Sequence, residues 1–287
     1  MAKPLHTLTS IATTALEGDL SDKLSLIAKA GFEGVDIHIT DIESSRLNVH
    51  QIKDQLDTLG LTPICLQPLQ EFTGVGDYSE QSERLAYFFS IMEVLGTDLL
   101  VMTSTSTAKA NPNTLRHKTD LYAAAELAQA CQKRIGYEAL AWGQSIYSYW
   151  QAWEFIEELN HPSLGLVIDS FHLFSRNDPL DHLYRIPAGQ LFLVHLADAP
   201  NRDVFLGQCH DDVCKRQLAD WSQHARRLPG LGEFKLGALY QALFEIGYKG
   251  PVSLEIFNDR HRKDTSGEWL KKAYASMQNS IHPIFGK

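Results

Sequence analysis

Gly136-Tyr137-Glu138-Ala139-Leu140-Ala141-Trp142-Gly143 is a short run of strand-forming residues with one carboxylate near its centre. Three later stretches repeat the design: Leu166-Val167-Ile168-Asp169-Ser170-Phe171-His172, Leu191-Phe192-Leu193-Val194-His195-Leu196-Ala197-Asp198 and Val252-Ser253-Leu254-Glu255-Ile256-Phe257. Each is an apolar run, bounded by turn residues, that carries a charged or imidazole group toward its end. A strand buried on both faces has no structural reason to finish on Glu, Asp or His. Four such strands in one chain mark a site.

Working back toward the N-terminus, strand and helix patterns alternate. A strand is expected at His6–Ser10, followed after Gly18 by a helix over Asp19–Ala30 with Leu20, Leu24, Ile27 and Ala28 on one face. Gly31 then reads as its stop. Strands follow at Gly34–Ile39, Thr62–Gln67 and Asp98–Ser104, separated by helices at Val49–Leu59 and Ser79–Leu95 that end on Gly60 and Gly96. A long helix over Asn113–Arg134 leads to the four site-bearing strands. Helices at Tyr149–Leu159, Pro179–Tyr184 and Leu236–Ile246 separate these, and Glu268–Met277 closes the chain.

Eight alternating units in about 250 residues predict a closed (β/α)8 barrel with parallel strands and right-handed crossovers. An open doubly wound sheet would show a phosphate-binding glycine cluster after its first strand, and none is present. No linker or low-complexity tract breaks the pattern, so residues 1–287 read as one domain. Its one long irregular stretch, Ala199–Phe234, is expected to lie over the C-terminal mouth.

Composition narrows the function classes. A formal charge of −9 disfavours a phosphate-tracking surface and hence nucleic acid as a partner. No apolar run approaches the roughly 20 residues that span a bilayer, and the N-terminal segment lacks the apolar core of a secretory signal. The reading is a cytoplasmic protein with reduced thiols that acts on a small molecule; a homo-oligomer is compatible with it. Cys65 and Cys131 read as small core residues. Cys209-His210-Asp211-Asp212-Val213-Cys214 resembles half a zinc clip but has no second pair, which favours a polar loop.

Strand ends of a barrel converge on one mouth, so Glu138, Asp169, His195 and Glu255 are expected to meet there. Three carboxylates brought together without a cation repel one another and raise their pKa values. One divalent metal resolves the conflict, with Mn²⁺, Mg²⁺ or Co²⁺ suited to this donor set and Zn²⁺ compatible with it. His172 follows Asp169 by three residues and reads either as a proton-transfer or hydrogen-bonding group or as a satisfied strand-end histidine. Asp198 reads either as the carboxylate that fixes the His195 ring or as a cap on the next loop. Arg226 precedes the turn-forming Pro229-Gly230-Leu231-Gly232, which could aim it inward; composition alone favours the surface.

Several stretches resemble the xylose isomerase-like TIM-barrel superfamily, and within it the bacterial 3-dehydroshikimate dehydratases. They are Ala30–Val35, Tyr137–Gly143, Leu166–His172, His195–Pro200 and Ser253–Asp259. The resemblance implies metal binding by Glu138, Asp169, His195 and Glu255, a chemical role for His172 and substrate contact by Arg226. It also implies substrate-facing positions at Gln70, Trp142 and Gln144. The dehydratase pattern is basic at 70, 144 and 145, where this chain has Gln70, Gln144 and Ser145. It usually has glutamine at 195, where His195 matches the sugar isomerases and epimerases. The implied activity is a metal-dependent dehydration of a polyhydroxy carbonyl compound, 3-dehydroshikimate, to protocatechuate. The alternative is a sugar or sugar-phosphate isomerase or epimerase with Glu138 and Glu255 as an acid–base pair. A non-catalytic metabolite-binding barrel is a third reading, against which the complete ligand set speaks.

Overall fold

A computed structural model of the chain describes residues 8–200 and 211–285. Eight parallel strands close a barrel in sequence order. They are β1 (Ser10–Ala12), β2 (Gly34–His38), β3 (Thr62–Leu69), β4 (Leu99–Thr103), β5 (Arg134–Glu138), β6 (Leu164–Asp169), β7 (Leu191–Leu196) and β8 (Val252–Leu254). The ring closes where Ser10 pairs with Ser253 and Ile11 with Leu254. Of the strand predicted at His6–Ser10, His6 and Thr7 lie outside the described residues and Leu8 and Thr9 precede β1, whose Ser10 pairs with Gly34 of the neighbouring β2.

Local chemistry explains where most helices start and stop. Asp19 accepts from the Ser21 amide at the head of Leu20–Ala30, and Gly31 ends that helix with φ of 103°. Asn48 and Gln51 form a reciprocal capping box before Val49–Leu59, and Gly60 closes that helix in the left-handed region. Gly96 does the same for Tyr78–Leu95. The helix predicted to run to Arg134 is Thr114–Ala130 instead. Arg134 is taken by β5, where it pairs with Leu99.

Two helices differ from expectation in ways that matter for the site. Ser170–Ser175 is a short helix rather than the end of a strand, since Asp169 turns the chain by accepting from the Phe171 amide. Within the stretch expected to be irregular lies the helix Asp212–His224, capped by Asp211, with Leu218, Trp221 and Ser222 buried on one face. Cys209 and His210 lie outside the described residues. Cys214 is held in a disulfide, which removes it as a zinc ligand and departs from the expected reduced state. Cys131, expected in the core, is exposed, whereas Cys65 is buried. No helix among the described residues is long and apolar enough to cross a membrane.

Candidate metal centre

Glu138 is the last residue of β5, Asp169 the last of β6 and His195 the penultimate residue of β7; Glu255 directly follows β8. Register sets Asp169 beside His195 and His195 level with Ser253. All four side chains are buried. One ligand atom from each lies within 4.8 Å of the others. Gly136 helps to bring β5 this close to β6, since a Cβ there would stand 2.5 Å from the Val167 Cγ2.

Electrostatics follow from that crowding. The His195 Nε2 lies 2.8 Å from the Asp36 Oδ2, while its Nδ1 faces the Glu138 Oε1 at 3.4 Å and the Glu255 Oε1 at 4.0 Å. Burial alone would lower the His195 pKa, but Glu255, Asp36, Cys65 and Glu138 outweigh it and hold the ring well above its ordinary value. Without a cation, a proton on Nδ1 is what the two glutamates favour. Burial pushes Glu138 up to about 7 against the pull of His195. Glu255 is also opposed by burial, yet His195 and Arg226 bring it below the usual carboxylate range.

Arg226, placed at the surface by composition, is buried. Its Nη1 donates to the Asp169 Oδ2 at 2.6 Å and to the Glu255 Oε2 at 2.8 Å. Its Nη2 donates to the Ser222 Oγ at 2.8 Å, and the guanidinium lies over the rings of Phe171 and Phe257. The helix Asp212–His224 thus delivers the Ser222 that orients it. Charge-assisted bonds of this kind, removed from water, make Arg226 part of the cluster.

His172 sits on the short helix after β6, and its Nδ1 accepts from the Ala141 amide at 3.2 Å. In the neutral ring the hydrogen is therefore on Nε2, which stands 3.6 Å from the Asp169 Oδ2. Burial lowers His172 to about 3, so the ring is neutral. Trp142 meets it edge-on, with centroids 4.9 Å apart. Glu138, Glu255, His172, Arg226, Trp142 and Gln70 all line one mouth cavity of about 220 Å³. Gln144 does not line it: its amide nitrogen donates to the Ser106 carbonyl, and its oxygen accepts from the Lys215 Nζ.

Two residues escaped the sequence reading. Asp36, on β2, receives the Cys65 thiol at 3.0 Å, the Gln67 amide at 3.0 Å and the His195 Nε2 at 2.8 Å. Burial pushes the Cys65 thiol up, so it remains a donor. Gln67 bridges Asp36 to the Glu255 Oε1, which it meets at 2.9 Å. Asp36 is a charged residue inside the apolar run Gly34-Val35-Asp36-Ile37; the criterion applied to the later strands would have found it. Asp198 does not touch His195. It accepts from the amides of Ala199, Gly230, Gly232 and Phe234, and so shapes the following loop. A Cβ at Gly232 would lie 2.2 Å from its Oδ1, so that loop requires glycine.

The donor set fits a divalent ion. With its Nε2–H committed to Asp36, a neutral His195 turns the Nδ1 lone pair toward the same point as Glu138, Asp169 and Glu255. Three carboxylates and one imidazole are hard-to-borderline ligands, and their crowding calls for positive charge.

The sequence profile of the family described as xylose isomerase-like TIM barrel matches residues 24–279. A 3-dehydroshikimate dehydratase of Pseudomonas putida is 35% identical over 88% of this chain and 38% of its own length. This chain thus spans less than half of that relative. An inosose isomerase of Bacillus velezensis is 25% identical over 96% of this chain and 97% of its own. Among solved structures, a xylose isomerase-like TIM barrel/4-hydroxyphenylpyruvate dioxygenase fusion protein superposes with a TM-score of 0.84 at 34% identity. That match covers 97% of this chain and 42% of the fusion.

Proposed function

The chain belongs to the xylose isomerase-like TIM-barrel family, and from that premise we propose that it is a divalent-metal-dependent lyase forming protocatechuate from 3-dehydroshikimate. One observation carries the reading. A neutral imidazole that can only donate, His172, and a carboxylate with spare accepting capacity, Glu138, share the wall of one cavity. Likeness to the Pseudomonas putida dehydratase supports the substrate.

Held by Glu138, Asp169, His195 and Glu255, an ion such as Mn²⁺, Mg²⁺ or Co²⁺, or else Zn²⁺, would supply a Lewis acid that polarises the substrate carbonyl. The remaining work falls to side chains. Asp169 and Glu255 each accept strong bonds from Arg226, and Glu255 also from Gln67. Glu138 has only one long contact, 3.4 Å to the His195 Nδ1. The least engaged carboxylate is the best base. Glu138 takes the proton from the carbon beside the carbonyl, and the electron pair moves toward the carbonyl oxygen. The His172 Nε2–H donates to the oxygen that gains charge. As the pair returns, the C–O bond on the next carbon breaks. The departing hydroxide takes the proton from Glu138 and leaves as water. One water is lost, both side chains return to their starting states, and enolisation of the ring gives the catechol.

The isomerase alternative needs Glu138 and Glu255 as opposed acid and base. The inosose isomerase matches over nearly its whole length, which favours this reading. Against it, both Glu255 oxygens are already hydrogen-bonded, to Gln67 and Arg226. The test is to supply 3-dehydroshikimate to metal-loaded protein and follow the ultraviolet band of protocatechuate. A band that grows with enzyme concentration is expected. No band with any of the four metals, together with metal-dependent exchange of an inosose C–H proton with D₂O, would replace the lyase by the isomerase.

A further inference from the structure

We infer that Arg262 receives the substrate's carboxylate, an assignment that rests on the dehydratase reading above. An anionic substrate needs a cation on the cavity wall, and the positions where the dehydratase pattern is basic hold Gln70, Gln144 and Ser145. Among the described residues, four basic side chains besides the neutral His172 line the cavity: His38, His224, Arg226 and Arg262. Arg226 is committed to Asp169 and Glu255. His224 is held by Asp259 at 2.9 Å. The Nδ1 of His38 accepts from the Thr40 amide, and burial lowers its pKa, so this ring is neutral.

Arg262 is different. Its nearest carboxylates are the Glu17 Oε1 at 3.9 Å and the Asp259 Oδ1 at 3.8 Å, both beyond hydrogen-bond distance and both on half-exposed side chains. Its Nε is buried with no hydrogen-bond partner. An unpaired guanidinium N–H withdrawn from water costs free energy that a ligand oxygen recovers. The backbone beneath it is fixed: the Arg262 amide donates to the Asn258 carbonyl at 3.1 Å, and its own carbonyl accepts from Glu17 at 2.7 Å. Asn258 in turn donates its side-chain amide to the Arg226 carbonyl at 2.8 Å. The turn after β8 therefore holds Arg262 in register with the cluster. Among the described residues, the Thr103 Oγ1 is the other buried, unpartnered polar atom on this wall. A hydroxyl suits a substrate hydroxyl; only the guanidinium matches a carboxylate.

Arg262→Gln and Arg262→Lys decide the matter, each checked for metal content and melting temperature against the parent. With 3-dehydroshikimate, Arg262→Gln is expected to raise KM roughly 10- to 100-fold, as for a lost charged hydrogen bond, with kcat within about threefold. Arg262→Lys should fall between, since it keeps the charge without the fork. A KM within about twofold of the parent in Arg262→Gln overturns the assignment while leaving the dehydratase reading intact. If the parent forms no protocatechuate, the dehydratase reading fails, and the Arg262 site is judged by binding alone. Protocatechuate and its neutral methyl ester are then titrated against the fluorescence of the parent and of Arg262→Gln. A preference for the acid that disappears in the variant supports the carboxylate site; a parent with no preference, or a variant that keeps it, overturns it. Should Arg262→Gln not fold, the parent's acid-over-ester ratio and Arg262→Lys separate the same two outcomes.

Discussion

The half of the barrel formed by β5 to β8 and the strand pair β2 and β3 contribute to one centre in different ways. The first presents Glu138, Asp169, His195 and Glu255 at strand ends, where their ligand atoms meet. The second sends Asp36, Cys65 and Gln67 into the barrel from the opposite side, and none of their bonds is needed to close the ring. One region supplies the charges; the other fixes which way they face. Asp36 holds the His195 Nε2, so the lone pair of the neutral ring points at the carboxylates, and Gln67 holds one Glu255 oxygen in place.

Variants can break this division, and the largest loss should come from the strand ends. Asp169→Asn removes a charge from the centre and a partner from Arg226, and is expected to weaken metal binding by at least about 100-fold and abolish turnover. Equilibrium dialysis against Mn²⁺ checks the affinity. His172→Gln should leave metal content unchanged while kcat falls roughly 10²–10³-fold, the effect of losing one donor to a developing oxyanion. Parallel falls in metal content and kcat would make His172 a structural neighbour of Asp169 instead.

Smaller effects are expected from the other side of the barrel. Asp36→Asn should cost about 10-fold or somewhat more in metal affinity, and alter the visible spectrum of a Co²⁺-loaded protein, because the His195 ring exchanges a charged acceptor for at best an amide oxygen. An unchanged spectrum and affinity would reduce Asp36 to packing. Asp198→Ala belongs to neither region. It strips four backbone amides of their acceptor and should cost about 1–3 kcal/mol of stability in a denaturant titration, with metal affinity within about twofold of the parent.

What was legible in the sequence follows the same divide. Strand ends and helix caps are local: Glu138 closes an apolar run, and Gly31, Gly60 and Gly96 end helices where φ turns positive. Their meaning survives without knowledge of neighbours. Composition could not place Arg226, because its partners Asp169 and Glu255 lie 57 and 29 residues away and only barrel closure brings them to it. Ser170-Phe171-His172 reads as strand because its apolar content hides the cap made by Asp169. Gln144 is a substrate-facing position by resemblance, yet Lys215 on the helix Asp212–His224 claims its oxygen, a contact that no local pattern encodes.

The central claim is that four strand-end side chains form one site for a divalent ion, and calorimetric titration of metal-free protein with Mn²⁺ tests it most directly. His195 holds its proton well above the ordinary imidazole range, and a metal must displace that proton to reach the Nδ1. Affinity should therefore rise as pH rises through neutrality, by about tenfold per unit for each proton released, from His195 and, near pH 7 and below, from Glu138 as well. The expected result is one equivalent bound, a proton released at pH 7 as judged by the buffer dependence of the heat, and loss of the site in Glu255→Gln. Binding that keeps its affinity in Glu255→Gln, or no binding by the parent protein at any pH from 6 to 8, would contradict the account.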